Sequence, residues 1–309
     1  MYQFGLPIIC FECCTHLNPH SRGFSILKKL RLSLKGLLIN FLKFFDLQII
    51  RITQSREIES VSGIGPEFDL EFLKQSDPTQ LERIISNLSF SVSQLRQDIF
   101  VLQILNFKFD GFFVEIGASD GHKYSNTFLL EKRFGWSGIL AEPGKIWHKQ
   151  LKENRPGSKI EFNCVWSNSN EILNFRETAN PVLSSIKDIE QDDIFVEERM
   201  TYKSYNVETI SLNDLLLKHD APKYIDYLSV DTEGSELDII RNFNFDNYFI
   251  SIITIEHNYS IKNSQAIYDL LKSKGFEIVF EEISKFDYWF INKKNISLNN
   301  AKKSNGKRN

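Results

Sequence analysis

A chain of 309 residues, 42% hydrophobic, 13% aromatic and 25% charged, can bury one substantial core and has the composition of a soluble globular protein. Its net charge of −3 offers no global positive field, which excludes the simplest kind of nucleic-acid binder. Both ends of the chain are nevertheless basic.

At the N-terminus, Cys10, Cys13 and Cys14 crowd into one pentapeptide, and the only other cysteine is Cys164. That spacing cannot make a disulfide framework and fits reduced, intracellular thiols. Cys10, Cys13 and Cys14 with His16 and His20 lack the second Cys-x-x-Cys of a zinc module. No basic stretch followed by an apolar run and a cleavage site marks a secretory signal, so a cytoplasmic protein is expected. Residues 26–45 then read as a basic amphipathic helix. Ile26, Leu27, Leu30, Leu34, Leu37, Leu38, Phe41, Phe44 and Phe45 share one face, and Lys28, Lys29, Arg31, Lys35 and Lys43 the other. The helix is too charged to span a bilayer. Packing on a protein surface and peripheral membrane contact both suit it.

Gly63, Gly65, Pro66 and Pro78 punctuate 58–79, which reads as a linker or irregular cap closing an N-terminal extension over 1–80. Helix is expected over 81–107 with a break near 89–93. Strands and helices then alternate: strand 112–116, helix 126–134, strand 138–142, helix 145–153, strand 159–165 and a strand or hairpin at 171–176. A polar, acid-rich insertion over 177–205 has the character of a substrate loop or lid. The alternation resumes with strand 207–210, helix 211–219, strand 224–230, helix 235–242, strand 250–256 and helix 262–273. Strands 276–281 and 286–291 close it as an antiparallel pair. This pattern specifies an α/β fold, about seven strands in a mostly parallel sheet with helices on both faces. The tail 293–309, with six basic residues and no acid, reads as disordered.

The strand 112–116 carries the chemistry, because ligands of open α/β sheets sit at the carboxyl ends of strands. Gly117 and Gly121 allow a tight turn and close approach of main chain to a ligand. Glu142 ends the next strand 21 residues after Gly121, near the spacing of an acid that accepts both ribose hydroxyls of a nucleoside. The Gly-x-x-x-Gly turn lacks the Gly-x-Gly-x-x-Gly spacing that seats a pyrophosphate, and a carboxylate at Glu115 would repel one. The same carboxylate suits the ammonium and sulfonium of S-adenosylmethionine. The competing reading is an ordinary turn with Glu115 as a satisfied buried acid.

Two further clusters fall at the same sheet edge. Asp231-Thr232-Glu233-Gly234 follows the apolar strand 224–230, and Glu236 opens the next helix, where an acid suits the helix dipole. Asp231 and Glu233 are candidate catalytic carboxylates, with helix capping as the alternative for Asp231. Glu256-His257-Asn258 ends the strand 250–256. His257 is a candidate general base, and Asp231, Glu256 and His257 are a candidate set for a divalent metal. Satisfied polar groups at a strand end are the alternative for Glu256 and His257.

These residues also carry a resemblance. Segment 93–102, Phe113-Val114-Glu115-Ile116-Gly117-Ala118-Ser119-Asp120-Gly121, Ser125-Asn126-Thr127 with Leu130-Glu131, Gly135-Trp136-Ser137-Gly138-Ile139-Leu140-Ala141-Glu142-Pro143 and Ser229-Val230-Asp231-Thr232-Glu233-Gly234-Ser235-Glu236 resemble the FkbM family of methyltransferases. The likeness runs from about 93 to about 292, within a domain placed at 81–292. It implies a class I methyltransferase fold, S-adenosylmethionine as donor, and O-methylation of a sugar, glycan or related small-molecule acceptor, with no nucleic acid. The cofactor set it implies is Glu115, Gly117, Ala118, Asp120, Gly121, Asn126, Glu142 and Pro143, with Asn163, Cys164 and Val165 at the adenine. A nicotinamide-dependent oxidoreductase would need the absent pyrophosphate turn. A non-catalytic nucleoside-binding scaffold sits poorly with intact Glu115, Gly117, Glu142 and Asp231.

Overall fold

The computed structural model of the protein describes residues 65–186, 198–258 and 261–298. The cysteine cluster at 10–14 and the basic segment 26–45 lie outside them.

The first described element is a helix, α1 (Pro66–Gln75), where the glycines and prolines suggested irregular chain. Pro66 stands in its first turn, where a missing N–H costs nothing, and Glu67 and Asp69 complement the dipole. Phe68 and Phe72, one turn apart, are buried in the core of the sheet domain, and both oxygens of Asp69 receive the guanidinium of Arg96 at 2.8 and 3.0 Å. The packed domain therefore begins before residue 81. Helices α2 (Leu81–Leu88) and α3 (Gln97–Ile104) follow, with the expected break between them.

The central sheet is built from β1 (Phe112–Ile116), β2 (Ser137–Ala141), β3 (Lys159–Glu161), β8 (Tyr224–Val230), β9 (Phe249–Glu256), β10 (Glu277–Val279) and β11 (Asp287–Ile291), in spatial order β10-β11-β9-β8-β1-β2-β3. Strands β3, β2, β1, β8 and β9 run parallel, and β11 is antiparallel to both β9 and β10. Helices α4 (Phe128–Phe134), α5 (His148–Asn154), α6 (Leu212–Lys218), α7 (Glu236–Arg241) and α8 (Ile261–Ser273) make the crossovers. Alternation along the strands splits the core. Phe113 and Tyr227 join Phe72, Phe100 and Trp289 on one face, while Val114, Ile116, Leu228 and Ile253 join Leu215, Ile267 and Leu271 on the other.

The single strand expected at 159–165 divides. The Glu161 carboxylate accepts from the N–H groups of Phe162 and Asn163, which ends β3, and β4 (Cys164–Trp166) leaves for a second sheet. That sheet has the order β4-β7-β5-β6, with β5 (Ile172–Thr178), β6 (Ser185–Ile186) and a long β7 (Tyr202–Ser211). Two 3₁₀ turns, Pro181–Leu183 and Glu198–Met200, belong to the same region. The start of the basic tail is ordered. Residues 293–298 are helical, Asn292 caps Asn295, and the Asn295 amide donates to the Ile250 carbonyl at 2.8 Å. No helix among the described residues is long and apolar enough to cross a membrane.

Candidate active site

The carboxyl ends of β1, β2, β8 and β9 converge on a cavity of about 900 Å³. Its floor is main chain. The N–H groups of Gly117 and Ala118 donate to Ala141 O at 2.9 and 3.1 Å, and Asp231 N donates to Ile116 O at 3.0 Å, so the turn after β1 is pinned to both neighbouring strands. Gly117 has φ +86°, and a Cβ there would overlap the Asp231 carbonyl oxygen. Only glycine fits this approach.

Glu142 lines the cavity at the end of β2. Its carboxylate accepts from Ser119 N at 2.9 Å and Gly144 N at 2.7 Å, and burial raises its pKa to about 7. Pro143, Trp147, Cys164 and Val165 add a largely apolar wall beside it. Burial pushes the Cys164 thiol up to about 12, so it is wall and not nucleophile.

Across the cavity stand Asp231, Glu233 and Glu256. Burial raises Asp231 to about 6 against its hydrogen bond to Glu256, while burial and then the charge of Asp231 push Glu256 well above the usual carboxyl range. Together they hold one proton near neutrality, with Asp231 the more acidic member. The Asn258 amide donates to Glu256 at 2.7 Å and orients it. Glu233, in the left-handed region at φ 60°, is ion-paired with Arg199 from the Glu198–Met200 turn. Glu236 ties the turn together, accepting from Thr232 N at 2.8 Å and Gly234 N at 3.0 Å. The expected cation set is corrected by one member. Asp231, Glu233 and Glu256 bring oxygens within 4.8 Å of one another, whereas His257 is not among the lining residues. Its main-chain N–H donates to Phe286 O at 2.8 Å, its ring centre lies 4.3 Å from that of Tyr288, and burial lowers its pKa.

Five of the expected cofactor residues also stand behind the cavity wall rather than in it. Glu115 accepts from Ser125 Oγ at 2.9 Å, Asn126 N at 2.6 Å and Thr127 Oγ1 at 2.7 Å, with Arg155 at 3.8 Å. It is the satisfied buried acid. Asp120 accepts from His122 N and Lys123 N, both at 2.8 Å. Gly121 packs on Leu151 and Arg155, the Asn126 amide donates to Ser229 Oγ at 2.9 Å, and Asn163 N is bound by Glu161. Gly117, Ala118, Glu142, Pro143, Cys164 and Val165 do line the cavity, as do Asp231, Glu233 and Glu256.

Arg155 and Arg199 carried no local signal in the sequence. Arg155, fully buried, donates to Gly121 O, Ser125 Oγ and Thr127 Oγ1 at 3.0–3.1 Å and to Glu131 at 2.6 Å. It braces the 121–127 loop that follows the Gly117 turn. Residues 180–186 form the wall contributed by the second sheet.

A parallel sheet with a glycine turn after β1, an acid ending β2 and a carboxyl pair at β8 and β9 defines an α/β protein with a main-chain cradle beside an acidic cluster at the carboxyl edge of its sheet. The sequence profile of the methyltransferase FkbM domain matches residues 115–278, over half of the chain. The chain belongs to the FkbM methyltransferase family. Among solved structures, methyltransferase FkbM from Methylobacillus flagellatus KT is 14% identical, with a TM-score of 0.39 over 73% of this chain and 58% of that one. The chain thus spans less than two thirds of that protein's length. No curated protein sequence matches.

Proposed function

We propose that the protein transfers a methyl group from S-adenosylmethionine to a hydroxyl of a sugar, glycan or related metabolite. The observation that carries this reading is the Asp231–Glu256 carboxyl pair beside the Gly117 turn and Glu142, in one cavity. The cradle suits the donor. Main chain at Gly117, Ala118 and Ser119 admits close approach, Glu142 has lone pairs for ribose hydroxyls, and Trp147, Cys164 and Val165 offer an adenine wall. When bound, S-adenosylmethionine supplies an electrophilic methyl on a sulfonium, which keeps the electron pair of the broken C–S bond as a neutral thioether. The chain aligns the acceptor oxygen with that methyl, which is the largest contribution to rate. Asp231 takes the hydroxyl proton as the new C–O bond forms, and Glu256, holding its own proton, steadies the carboxylate before transfer.

Calorimetric titration with S-adenosylhomocysteine, NAD and ATP tests the cofactor. Binding of S-adenosylhomocysteine alone is expected, and binding of NAD alone would overturn the reading. Asp231→Asn is expected to lower kcat by about 10²–10⁴-fold while leaving S-adenosylhomocysteine affinity unchanged. A second reading rests on the three carboxylate oxygens within 4.8 Å of one another, which suit a divalent cation that acidifies the acceptor hydroxyl. Full turnover by chelator-stripped protein removes it.

A further inference from the structure

Two lysines line the cavity and go unused by this reaction, Lys123 in the loop after the β1 turn, on the cradle side, and Lys285 on the opposite side. Lys285 lies in the loop that enters β11 and lines the cavity together with Phe286. Its ammonium sits 5.1 Å from the centre of the Phe68 ring. Among the described residues no carboxylate lies within ion-pair distance of it. Burial lowers its pKa, and no neighbouring charge offsets that. Arg199, which stands behind the cavity wall, is already paired with Glu233.

The topology places Lys285 away from the donor. The cofactor cradle lies on β1, β2 and β4, whereas β11 is separated from β1 by β9 and β8 and pairs with β9 at Asp287 and Glu256. Lys285 therefore stands on the side of the carboxyl pair. Lys285 is exposed at the cavity rim, and a neutral acceptor would leave its ammonium facing water without a counter-charge. An anionic one would supply it, and a lysine offers a point charge that does not demand one anion geometry.

We propose that Lys285 binds an anionic group, phosphate or carboxylate, carried by the hydroxylated acceptor, while the Asp231–Glu256 pair meets the hydroxyl to be methylated. This rests on the methyltransferase reading. The test uses the full chain saturated with S-adenosylhomocysteine and titrated by calorimetry at pH 7 with glucose, glucuronate and glucose 1-phosphate. At least one anionic sugar is expected to bind about tenfold more tightly than glucose. Glucuronate against glucose 1-phosphate separates carboxylate from phosphate. The advantage is expected to vanish in Lys285→Gln and persist in Lys285→Arg, with S-adenosylhomocysteine affinity unchanged in both. Equal or absent binding of all three sugars to the wild type overturns the proposal, as does an advantage that survives Lys285→Gln. Weaker S-adenosylhomocysteine binding by Lys285→Gln would assign the ammonium to the cofactor carboxylate and also overturn it. Failure of the wild type to bind S-adenosylhomocysteine instead sinks the underlying reading, and the proposal falls with it.

Discussion

Glu115 and Glu142 both end parallel strands, and their fates differ because of the side-chain period of two. Along β1, Val114 and Ile116 share a face with the second core cluster, and Ile116 reaches the cavity. Glu115 therefore shares a face with Phe113, where Ser125, Asn126, Thr127 and Arg155 consume its lone pairs. Glu142 follows β2 at the cavity edge and keeps acceptor capacity beyond its two main-chain donors. Glu142→Ala is expected to weaken S-adenosylhomocysteine binding by about 10–100-fold through the lost ribose contacts, with little change for an acceptor analogue. Calorimetry reads both, and unchanged affinity would remove Glu142 from the ribose site. Gly117, Glu142 and Asp231 were legible in the sequence because a strand followed by a turn fixes where their backbone lies. Glu115 and His257 were not, because which way a strand-end side chain turns depends on partners that arrive from distant segments.

Two arginines connect elements that sequence spacing leaves unrelated. Arg199 donates to Leu183 O at 3.3 Å and pairs with Glu233, joining both 3₁₀ turns of the second sheet to the acidic turn after β8. Arg199→Ala is expected to raise the acceptor KM by about tenfold and leave S-adenosylhomocysteine affinity intact, because the cofactor cradle lies on other strands. A fall in cofactor affinity with KM unchanged would contradict that division of the cavity. Arg155 belongs to folding. It braces α4 and the 121–127 loop from the end of α5, so Arg155→Met would strand Glu115 without its cation and leave Glu131 only that of Lys132. Equilibrium denaturation is expected to show a loss of about 3–5 kcal/mol. The insertion over 177–205 was legible as a separate element from its polarity and length. Its β-sheet was not, because β7 pairs with β4 in parallel and with β5 in antiparallel across long sequence separations.

Across the whole domain, the hydrophobic faces of the sheet are covered on both sides, and the acids gather at one edge. Burial is the largest cause raising Asp231 to about 6 and Glu142 and Asp287 to about 7, against ordinary values of 3.8 for aspartate and 4.5 for glutamate. Glu131 and Glu161 are held below 4.5, so their influence falls at more acidic pH. Burial lowers His148 and His257, which works the other way, but the carboxyls that burial raises, Asp98, Glu115, Glu236 and Glu256 among them, outnumber these two. Between about pH 4 and 7 the folded protein is therefore expected to bind more protons than the unfolded chain, and its stability to fall as pH rises through that window. The stabilisation from these raised groups is fully present below the unfolded values and is lost as each folded value is passed. Turnover runs the other way, because Asp231 must be ionised to accept a proton, and kcat is expected to rise with a midpoint near 6. Thermal melts of the cofactor-free protein should give a Tm that declines from pH 5 to pH 8 while activity increases. Asp287→Asn keeps an acceptor for the Gln97 amide, which donates to Asp287 at 2.8 Å, but removes one titrating group, so its Tm should decline less steeply. A wild-type Tm that is flat or rises over this range would mean that these carboxyls ionise in the folded protein as they do in water, and Asp231 would lose the raised pKa that suits it to take the proton.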